Sequence, residues 1–258
     1  MVKSFNLKNK VVLVTGGYGH LGKAIVDSLL YHEAKVYVLG RDKEKFIQKF
    51  KEKLENLRFT YCDVSDLDSV KKAFSNIYQS EARLDVLINN AFYSRGQSPE
   101  EMNDEDFLYG LEGTLGSIFK CTREIIPYFK KQGFGKIINV SSMYGVVAPD
   151  FRIYDETPAY LNPPHYGAAK AGVIQLTKYY ASYLGKYNIQ VNVVTPGPFP
   201  SENVQKDTSF IKKLSEKTLV NRIGKPEDLA GVFVFLSSDA ADFITGQNII
   251  VDGGWTVR

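Results

Sequence analysis

The feature that most constrains the fold is a glycine-rich segment near the start of the chain. It lies between a β-branched run at residues 10–14 and an amphipathic segment at residues 23–30. The run ends at Thr15-Gly16, as a buried parallel strand does before a turn. Glycines here let the chain approach a phosphate, and the N-terminus of the following helix presents free N–H groups and a positive dipole end. The order of strand, glycine loop and helix predicts a dinucleotide-binding α/β fold.

The composition fits one such domain over residues 1–258. With 44% apolar and 24% charged residues, the chain can bury a full core. Its 32 basic and 29 acidic residues are spread without blocks, which argues against a nucleic-acid or membrane partner. No apolar run is long enough to cross a bilayer and the polar N-terminus lacks a signal-peptide core, so we expect a cytoplasmic protein. Cys62 and Cys121 have no metal-like spacing to a histidine, so we expect reduced core thiols and no metal site.

A tyrosine and a lysine four residues apart, Tyr166 and Lys170, form the candidate catalytic pair. At this spacing both side chains lie on one face of a helix. An adjacent ammonium group that lowers the pKa of a phenol from about 10 to about 7 must supply about 4 kcal/mol. We therefore expect Lys170 to lower the pKa of Tyr166. Tyr31 and Lys35 share the spacing, so the pair needs support from the surrounding segments.

With those segments included, the chain resembles the short-chain dehydrogenase/reductase family over essentially its whole length. The resemblance rests on the glycine loop, on Asn-Asn-Ala-Phe at residues 89–92, on Ser142 three residues before Gly145, and on the Tyr166 and Lys170 pair. It implies an α/β fold with a doubly wound, Rossmann-type parallel sheet flanked by helices in a single domain. It also implies an NAD(P)-dependent oxidoreductase that interconverts a secondary alcohol and a ketone by hydride transfer.

The same resemblance implies three catalytic residues, Ser142, Tyr166 and Lys170. Tyr166 would act as general acid/base, Lys170 would also hold the nicotinamide ribose, and Ser142 would orient the substrate oxygen. Ser141 is the nearest alternative to Ser142. The residues expected to contact the cofactor are Gly16, Tyr18, Gly19, His20, Leu21, Gly22, Arg41, Asp63, Val64, Asn90, Ala91, Tyr166, Lys170, Pro196, Gly197 and Phe199.

The end of the second predicted strand, at residues 35–39, decides between the two nicotinamide cofactors. A glycine, Gly40, occupies the position at which an acidic residue would bind the adenosine 2′-hydroxyl. The next residue, Arg41, suits a 2′-phosphate, which favours NADP. Asp42 can instead support NAD, which is the alternative.

Three features depart from the single-domain branch of the family. The glycine loop reads Thr-Gly-x-x-Gly-x-x-Gly, as in the longer sugar-nucleotide-modifying branch, with His20 where the single-domain branch has glycine. Phe92 replaces a glycine and is expected to line the active-site mouth. The asparagine of the branch's water relay is missing, since one register places Thr114 there and another places Gly110. The proton relay is expected to differ in detail, with the Thr114 hydroxyl or water as substitutes.

The segment from Ser142 to Tyr166 spans 24 steps, about twice the length usual in the single-domain branch, and is expected to select the substrate. Its carboxylates, tyrosines and arginine suit a hydroxyl-rich ligand. The expected substrate-binding residues are Phe92, Arg95, Arg152, Tyr154 and Tyr160. These features favour a small polar substrate, a sugar or sugar derivative, and a role in carbohydrate metabolism. A 3-ketoacyl-carrier reductase and a cofactor-binding regulatory protein without catalysis are the alternatives.

Two long predicted helices, at about residues 104–131 and 165–186, carry more apolar surface than one sheet face covers. The family resemblance implies a homo-oligomer, a tetramer, in which they pack against symmetry mates. The residues expected to supply this surface are Phe119, Ile125, Ile126, Leu176, Tyr179, Tyr180 and Tyr183. Residues 200–221 lack strong periodicity and are expected to form a mobile lid with one short helix.

Overall fold

The computed structural model describes residues 4–51 and 55–257. Its centre is a seven-stranded sheet with the order β3-β2-β1-β4-β5-β6-β7, in which neighbouring strands are parallel. The strands are β1 (Val11–Thr15), β2 (Lys35–Gly40), β3 (Leu57–Tyr61), β4 (Val86–Asn89), β5 (Gly135–Val140), β6 (Ile189–Pro196) and β7 (Asn248–Val251). The doubly wound parallel sheet expected from the sequence is confirmed.

Helices connect the strands and cover both faces of the sheet. They are α1 (His20–Tyr31), α2 (Lys43–Lys49), α3 (Leu67–Glu81), α4 (Asp104–Leu111), α5 (Ser117–Gln132), α6 (Pro164–Leu184), α7 (Thr208–Lys217) and α8 (Pro226–Ser237). The expected short helix within residues 200–221 is α7. The sequence pattern does not predict α2, whose residues are never fully buried and so show no clear apolar stripe. Within residues 4–51 and 55–257, no helix is long and apolar enough to span a membrane.

Alternate residues of β1 belong to two hydrophobic cores on opposite faces of the sheet. Val12 and Val14 pack with α1 and α8 on one face. Val11 and Leu13 pack with α3, α5 and α6 on the other. Because successive side chains of a strand point to opposite faces, burial on both sides explains the continuous apolar run in this strand.

Strands β1 and β4 are neighbours in the sheet, and their ends are tied together by Thr15 and Asn90. The Thr15 hydroxyl accepts hydrogen bonds from the backbone N–H groups of Asn90 and Ala91, both at 3.0 Å. In return, the Asn90 amide donates to the carbonyl oxygens of Thr15 and Gly16 at 3.0 and 3.1 Å. The strand order reverses direction at this point, where doubly wound sheets bind their ligands.

Buried amides hold α6 on the sheet. The Asn89 amide on β4 donates to Asn139 Oδ1 on β5 at 2.9 Å, and the Asn139 amide donates to the Thr177 hydroxyl of α6 at the same distance. Burying amides costs free energy unless they are hydrogen-bonded, so partners of this kind make the arrangement specific. Helix α6 carries Tyr166 and Lys170, and this network fixes it relative to β5.

The helix expected at about residues 104–131 is interrupted. Helix α4 ends at Leu111, a π-helical turn follows at Glu112–Gly116, and α5 begins at Ser117. Two glycines allow close approaches around this turn. A Cβ atom at Gly113 would lie 1.9 Å from the Tyr93 carbonyl oxygen, and one at Gly110 would lie 1.9 Å from Cδ2 of the His165 ring. The turn therefore fits closely against both the loop after β4 and α6.

We predict opposite effects on stability for the same substitution in two helices. Gly231→Ala in α8 should raise the free energy of unfolding by up to about 1 kcal/mol, because the new Cβ meets nothing within 4 Å. Gly110→Ala in α4 should lower it by about 1–3 kcal/mol, because the new Cβ collides with the buried His165 ring. Urea unfolding of both variants measures the difference. If both substitutions stabilise the protein, the packing of His165 on Gly110 is refuted.

Candidate active site

A cleft of about 650 Å³ lies along the carboxyl ends of the strands. All the residues expected to contact the cofactor, and all three expected catalytic residues, line it. Those residues are Gly16, Tyr18, Gly19, His20, Leu21, Gly22, Arg41, Asp63, Val64, Asn90, Ala91, Ser142, Tyr166, Lys170, Pro196, Gly197 and Phe199. A volume of this size is typical of cofactor and ligand sites.

The glycine loop leaves the first turn of α1 open toward the cleft. Gly16 has a φ of 64°, which side chains other than glycine rarely adopt. Gly19 is the N-cap of α1 and offers no side-chain cap, and the first turn holds no acidic residue. No side chain therefore caps the first backbone N–H groups of α1. These groups, at the positive end of the helix dipole, suit an anion. These features fit the pyrophosphate of a dinucleotide.

At the end of β2, Asp42 is already engaged. Its carboxylate accepts a hydrogen bond from the Lys45 backbone N–H at 2.8 Å and caps α2. The Arg41 guanidinium lies 3.7 Å from the Asp63 carboxylate. Burial opposes ionisation of Asp63, but hydrogen bonds from Ser65 and, after them, the Arg41 charge lower its pKa. Lys45 also lines this end of the cleft. Lys45 is not among the expected cofactor residues, because the sequence pattern does not predict α2.

Tyr18 forms the wall between the glycine loop and the end of β2. Its hydroxyl accepts hydrogen bonds from the backbone N–H groups of Arg41 and Asp42 at 3.1 and 3.2 Å. A Cβ atom at Gly40 would lie 2.4 Å from the Tyr18 ring. The glycine at position 40 is therefore required by the tyrosine ring that packs on it.

Lys170 is almost fully buried, with 3% of its surface exposed. Its Nζ donates to the Val140 carbonyl oxygen at 2.9 Å. The same atom lies 5.2 Å from the centre of the Phe92 ring and 5.7 Å from that of Tyr166. Burial lowers the pKa of Lys170 to about 7, because a charged ammonium is disfavoured away from water.

Burial also raises the pKa of Tyr166, while a hydrogen bond with Ser142 lowers it in part. The expectation that Lys170 lowers this pKa is therefore wrong for the structure described. Burial favours the neutral form of both groups, and the ammonium is directed at the Val140 carbonyl. The Ser141 hydroxyl donates to the Lys170 carbonyl oxygen at 2.8 Å. That hydrogen bond engages the Ser141 hydroxyl with the backbone of α6. Ser142 is therefore the serine whose hydroxyl can act together with Tyr166.

Gly110 and Thr114 are the two positions at which the sequence places the missing relay asparagine. They lie on either side of Glu112, where the π-helical turn begins. The Thr114 hydroxyl within the turn is buried and has no hydrogen-bond partner among the described residues. Beside Gly110, both ring nitrogens of His165 are likewise buried and unpartnered in the described part of the chain. Burial lowers the pKa of His165. From the sequence, His165, which directly precedes Tyr166, is expected only as one of the polar residues of the inserted loop.

Of the expected substrate-binding residues, only Phe92 lines the cleft. Its ring centre lies 6.1 Å from that of Tyr166, in an edge-on arrangement. Arg95 is instead paired with Asp106 at 2.6 Å and stacks 4.3 Å above the centre of the Tyr109 ring. The structure therefore does not bring Arg95 to the cleft wall, because a carboxylate of α4 holds it.

The charged residues of the inserted loop also point away from the cleft. The Arg152 side chain is 82% exposed and pairs with Asp150 at 2.7 Å. Tyr154 and Tyr160 pack instead on Phe210 of α7, with ring centres 5.9 and 4.8 Å from it. The structure does not bring these three expected substrate residues to the cleft lining. The loop exposes Arg152 but packs the Tyr154 and Tyr160 rings inward, a division that residue types alone do not reveal.

Among the described residues, no group of three or more His, Cys, Asp or Glu side chains is placed to hold a metal ion. Both cysteines are free and buried. Burial raises the pKa of the Cys62 thiol to about 12, so it stays neutral although it lines the cleft. Neither cysteine therefore offers a reactive thiolate.

Comparisons with known proteins agree with this geometry. The family model described as Enoyl-(Acyl carrier protein) reductase matches residues 19–256. The 3-oxoacyl-[acyl-carrier-protein] reductase FabG of Thermotoga maritima is 35% identical, over 97% of this chain and 99% of its own length. The chain belongs to the short-chain dehydrogenase/reductase family.

Solved structures of short-chain dehydrogenases superpose closely on the chain. One, from Leptospira borgpetersenii serovar Hardjo-bovis with bound NAD+, is 31% identical with a TM-score of 0.88, covering 99% of this chain and 97% of its own. A gluconate 5-dehydrogenase from Burkholderia cenocepacia, in complex with NADP and tartrate, is 26% identical with a TM-score of 0.88, covering 100% and 99%. As a short-chain dehydrogenase/reductase, the chain is a nicotinamide-dependent oxidoreductase that interconverts an alcohol and a ketone.

Proposed function

We propose that this enzyme acts on a small polar, hydroxyl-bearing substrate of the sugar type, with Ser142, Tyr166 and Lys170 as its catalytic residues. The observation that carries the proposal is the convergence of these three side chains with Phe92 in the cleft that begins at the glycine loop. We further propose that residues 1–258 act as one cofactor-binding and catalytic domain. A cytoplasmic location is supported by the free thiols of Cys62 and Cys121.

Side chains of the protein would donate or accept the proton of the reaction. When bound, the nicotinamide supplies or takes up the hydride at the carbon that bears the substrate oxygen. Tyr166 and Ser142, which line the cleft together, would hold that oxygen. Because burial raises the pKa of Tyr166, its phenol is protonated at neutral pH and can donate in the reductive direction. Lys170 would hold the nicotinamide ribose, a contact that favours its charged form.

We propose NADP as the preferred cofactor. Arg41 and Lys45 place two cations at the adenosine end of the cleft, where a 2′-phosphate would lie. Asp42, the residue that would support NAD, is held as the cap of α2. The solved gluconate 5-dehydrogenase with NADP supports this choice. The Leptospira structure with NAD+ supports the alternative, NAD.

A second candidate is a 3-ketoacyl-carrier reductase. It is favoured by the 35% identity to the Thermotoga maritima reductase and by the aromatic inner face of the inserted loop. The sugar-type substrate is favoured by the gluconate 5-dehydrogenase with bound tartrate. An assay with polyols, sugar acids and a 3-ketoacyl thioester decides between them, and preferred turnover of the thioester would overturn the first proposal.

We propose a tetramer in which α4, α5 and α6 meet their symmetry mates. An apolar groove runs between these helices, and among its lining residues Leu108, Phe119 and Tyr179 are exposed by 61%, 41% and 62%. Ile125 and Tyr180, which the sequence suggested for this contact, are buried in the chain's own core. The contact surface is therefore narrower than the sequence indicated, but it is still strongly apolar.

The first prediction for the site concerns Tyr166→Phe. This variant should lose nearly all turnover, at least about a hundredfold, while its cofactor affinity stays close to that of the wild type, because only the transferable proton is lost. Steady-state kinetics and fluorescence titration with cofactor measure the two effects. Ser141→Ala should keep most of its turnover, because that hydroxyl serves the Lys170 carbonyl. Substantial turnover of Tyr166→Phe would assign the acid to another group.

The second prediction concerns the cofactor. Arg41→Asp and Lys45→Ala should each reduce kcat/KM with NADPH by about tenfold or more, with little loss for NADH, because each removes a charge-assisted contact to the 2′-phosphate. Lys43→Ala is the matched control on the same helix, since Lys43 does not line the cleft. A wild type that prefers NADH, or equal losses with both cofactors, contradicts the assignment.

The third prediction concerns assembly. The wild type should run as four chains in light scattering, and Phe119→Glu with Tyr179→Glu should dissociate it, because charges would be buried in an apolar contact. Tyr31→Glu is the control, since Tyr31 is 86% exposed on α1, outside the groove. A wild type that remains a single chain at all concentrations rules out the oligomer.

A further inference from the structure

The Phe92 ring lies over the ammonium of Lys170. The Lys170 Nζ atom is 5.2 Å from the centre of the Phe92 ring and 5.7 Å from that of the Tyr166 ring. Both distances lie within the range of about 6 Å over which an aromatic face attracts a cation. The two rings stand edge-on to each other, with centres 6.1 Å apart. The ammonium is therefore flanked by two rings, of which only Tyr166 can titrate.

The position of Phe92 is fixed by its neighbours in the chain. On one side, the Ala91 backbone N–H donates to the Thr15 hydroxyl at 3.0 Å. On the other, the Tyr93 backbone N–H donates to the Gly113 carbonyl oxygen at 3.3 Å. Phe92 is nevertheless 52% exposed and lines the cleft. Because much of its apolar area stays in water, burial in the core does not account for a ring at this position.

Lys170 is a cation with few partners. Its Nζ donates to the Val140 carbonyl oxygen at 2.9 Å, although an ammonium can donate three hydrogen bonds. The titratable side chain that faces it is Tyr166 of the same helix, while the end of β5 presents the carbonyl oxygen and the loop after β4 presents the Phe92 ring. Among the described residues no carboxylate contributes to the pKa of Lys170, which burial lowers to about 7.

A ring face opposes this effect of burial. The negative face of an aromatic ring attracts a cation, and the attraction is strongest where water is excluded. Lys170 is only 3% exposed, so its ammonium lies in such a place. The Phe92 ring therefore supplies an attraction that the other groups around the ammonium supply only in part.

We propose that Phe92 is a positioning residue for Lys170: its ring face holds the ammonium beside Tyr166 and stabilises the charged form before a ligand binds. The inference rests on the proposed catalytic role of Lys170 and adds a residue that acts through it. An aliphatic side chain at position 92 would keep the apolar surface but would lack the ring face, so an aromatic residue is required there.

The test measures the pKa of Lys170 in the whole protein without cofactor. Acetic anhydride reacts with neutral amines, so labelling over a pH series, read by mass spectrometry of the peptide that contains Lys170, follows the titration of this side chain. Phe92→Leu should lower the pKa of Lys170 by about one unit, because the cation loses the ring face. Lys170 of this variant should therefore become reactive at a lower pH than in the wild type.

Two further variants and a control accompany Phe92→Leu. Phe92→Met, a second side chain without a ring, should lower the pKa of Lys170 in the same way, whereas Phe92→Tyr keeps the ring and should keep the wild-type value. Phe134→Leu is the matched control, because the Phe134 ring lies outside the cleft, 5.5 Å from the guanidinium carbon of Arg83. It should leave the titration of Lys170 unchanged.

The sign of the change separates attraction from shielding. If the ring only excludes water, Phe92→Leu admits water to the ammonium and raises the pKa of Lys170. A raised or unchanged pKa in Phe92→Leu and Phe92→Met would overturn the proposal. A fall in Phe134→Leu as large as that in Phe92→Leu would also overturn it, because the effect would then not depend on the ring beside Lys170.

Fluorescence titration with NADPH across the same pH series distinguishes this inference from the proposed function. If the charged Lys170 holds the nicotinamide ribose, NADPH affinity should weaken above the pKa of Lys170, and in Phe92→Leu it should weaken from about one pH unit lower. A lowered pKa of Lys170 with no such change in NADPH affinity would support the role of Phe92 and overturn the ribose contact. An unchanged pKa, with NADPH affinity that still follows it, would overturn the role of Phe92 alone.

Discussion

The site depends first on the reciprocal hydrogen bonds between Thr15 and Asn90. They bind the end of β1 to the end of β4 at the place where the chain connections diverge. The glycine loop follows Thr15 directly and Phe92 follows Asn90 by two residues, so this contact sets both the phosphate end and the mouth of the cleft. Side chains of both ends add further contacts, since the Tyr18 hydroxyl bonds the backbone at the end of β2 and the Phe92 ring, 52% exposed, packs against Tyr166.

Burial controls the chemistry of the other side of the cleft. Lys170 and Tyr166 lie side by side, but the lysine is bound to the Val140 carbonyl and both groups are shifted toward their neutral forms. A ligand that brings acceptors near Lys170 would restore its charge and strengthen its effect on the phenol. The protonation states of the pair therefore depend on burial and on what binds beside them, and the spacing of the two residues alone does not fix them.

The sequence predicts the sheet and the cleft well because both follow from local patterns. Apolar runs ending in Thr15, Asn89 or Ser141 mark strand ends, and parallel strand ends share one edge of the sheet. The sequence does not predict the π-helical turn, the His165 ring on Gly110, or the outward direction of Arg152. The first two depend on contacts between segments far apart in the chain, whereas Arg152 pairs with a carboxylate two residues before it and remains exposed. Residue types show which groups a loop contains, whereas its partners decide which groups face inward.

The ion pairs of Lys213 and Lys217 with Glu156 and Asp150 of the inserted loop have a consequence for motion. They join the segment between β5 and α6 to α7, which follows β6. Neither segment can swing aside without breaking these pairs or carrying the other with it. The two segments would therefore move together, and dissolved salt, by weakening exposed ion pairs, would loosen that coupling.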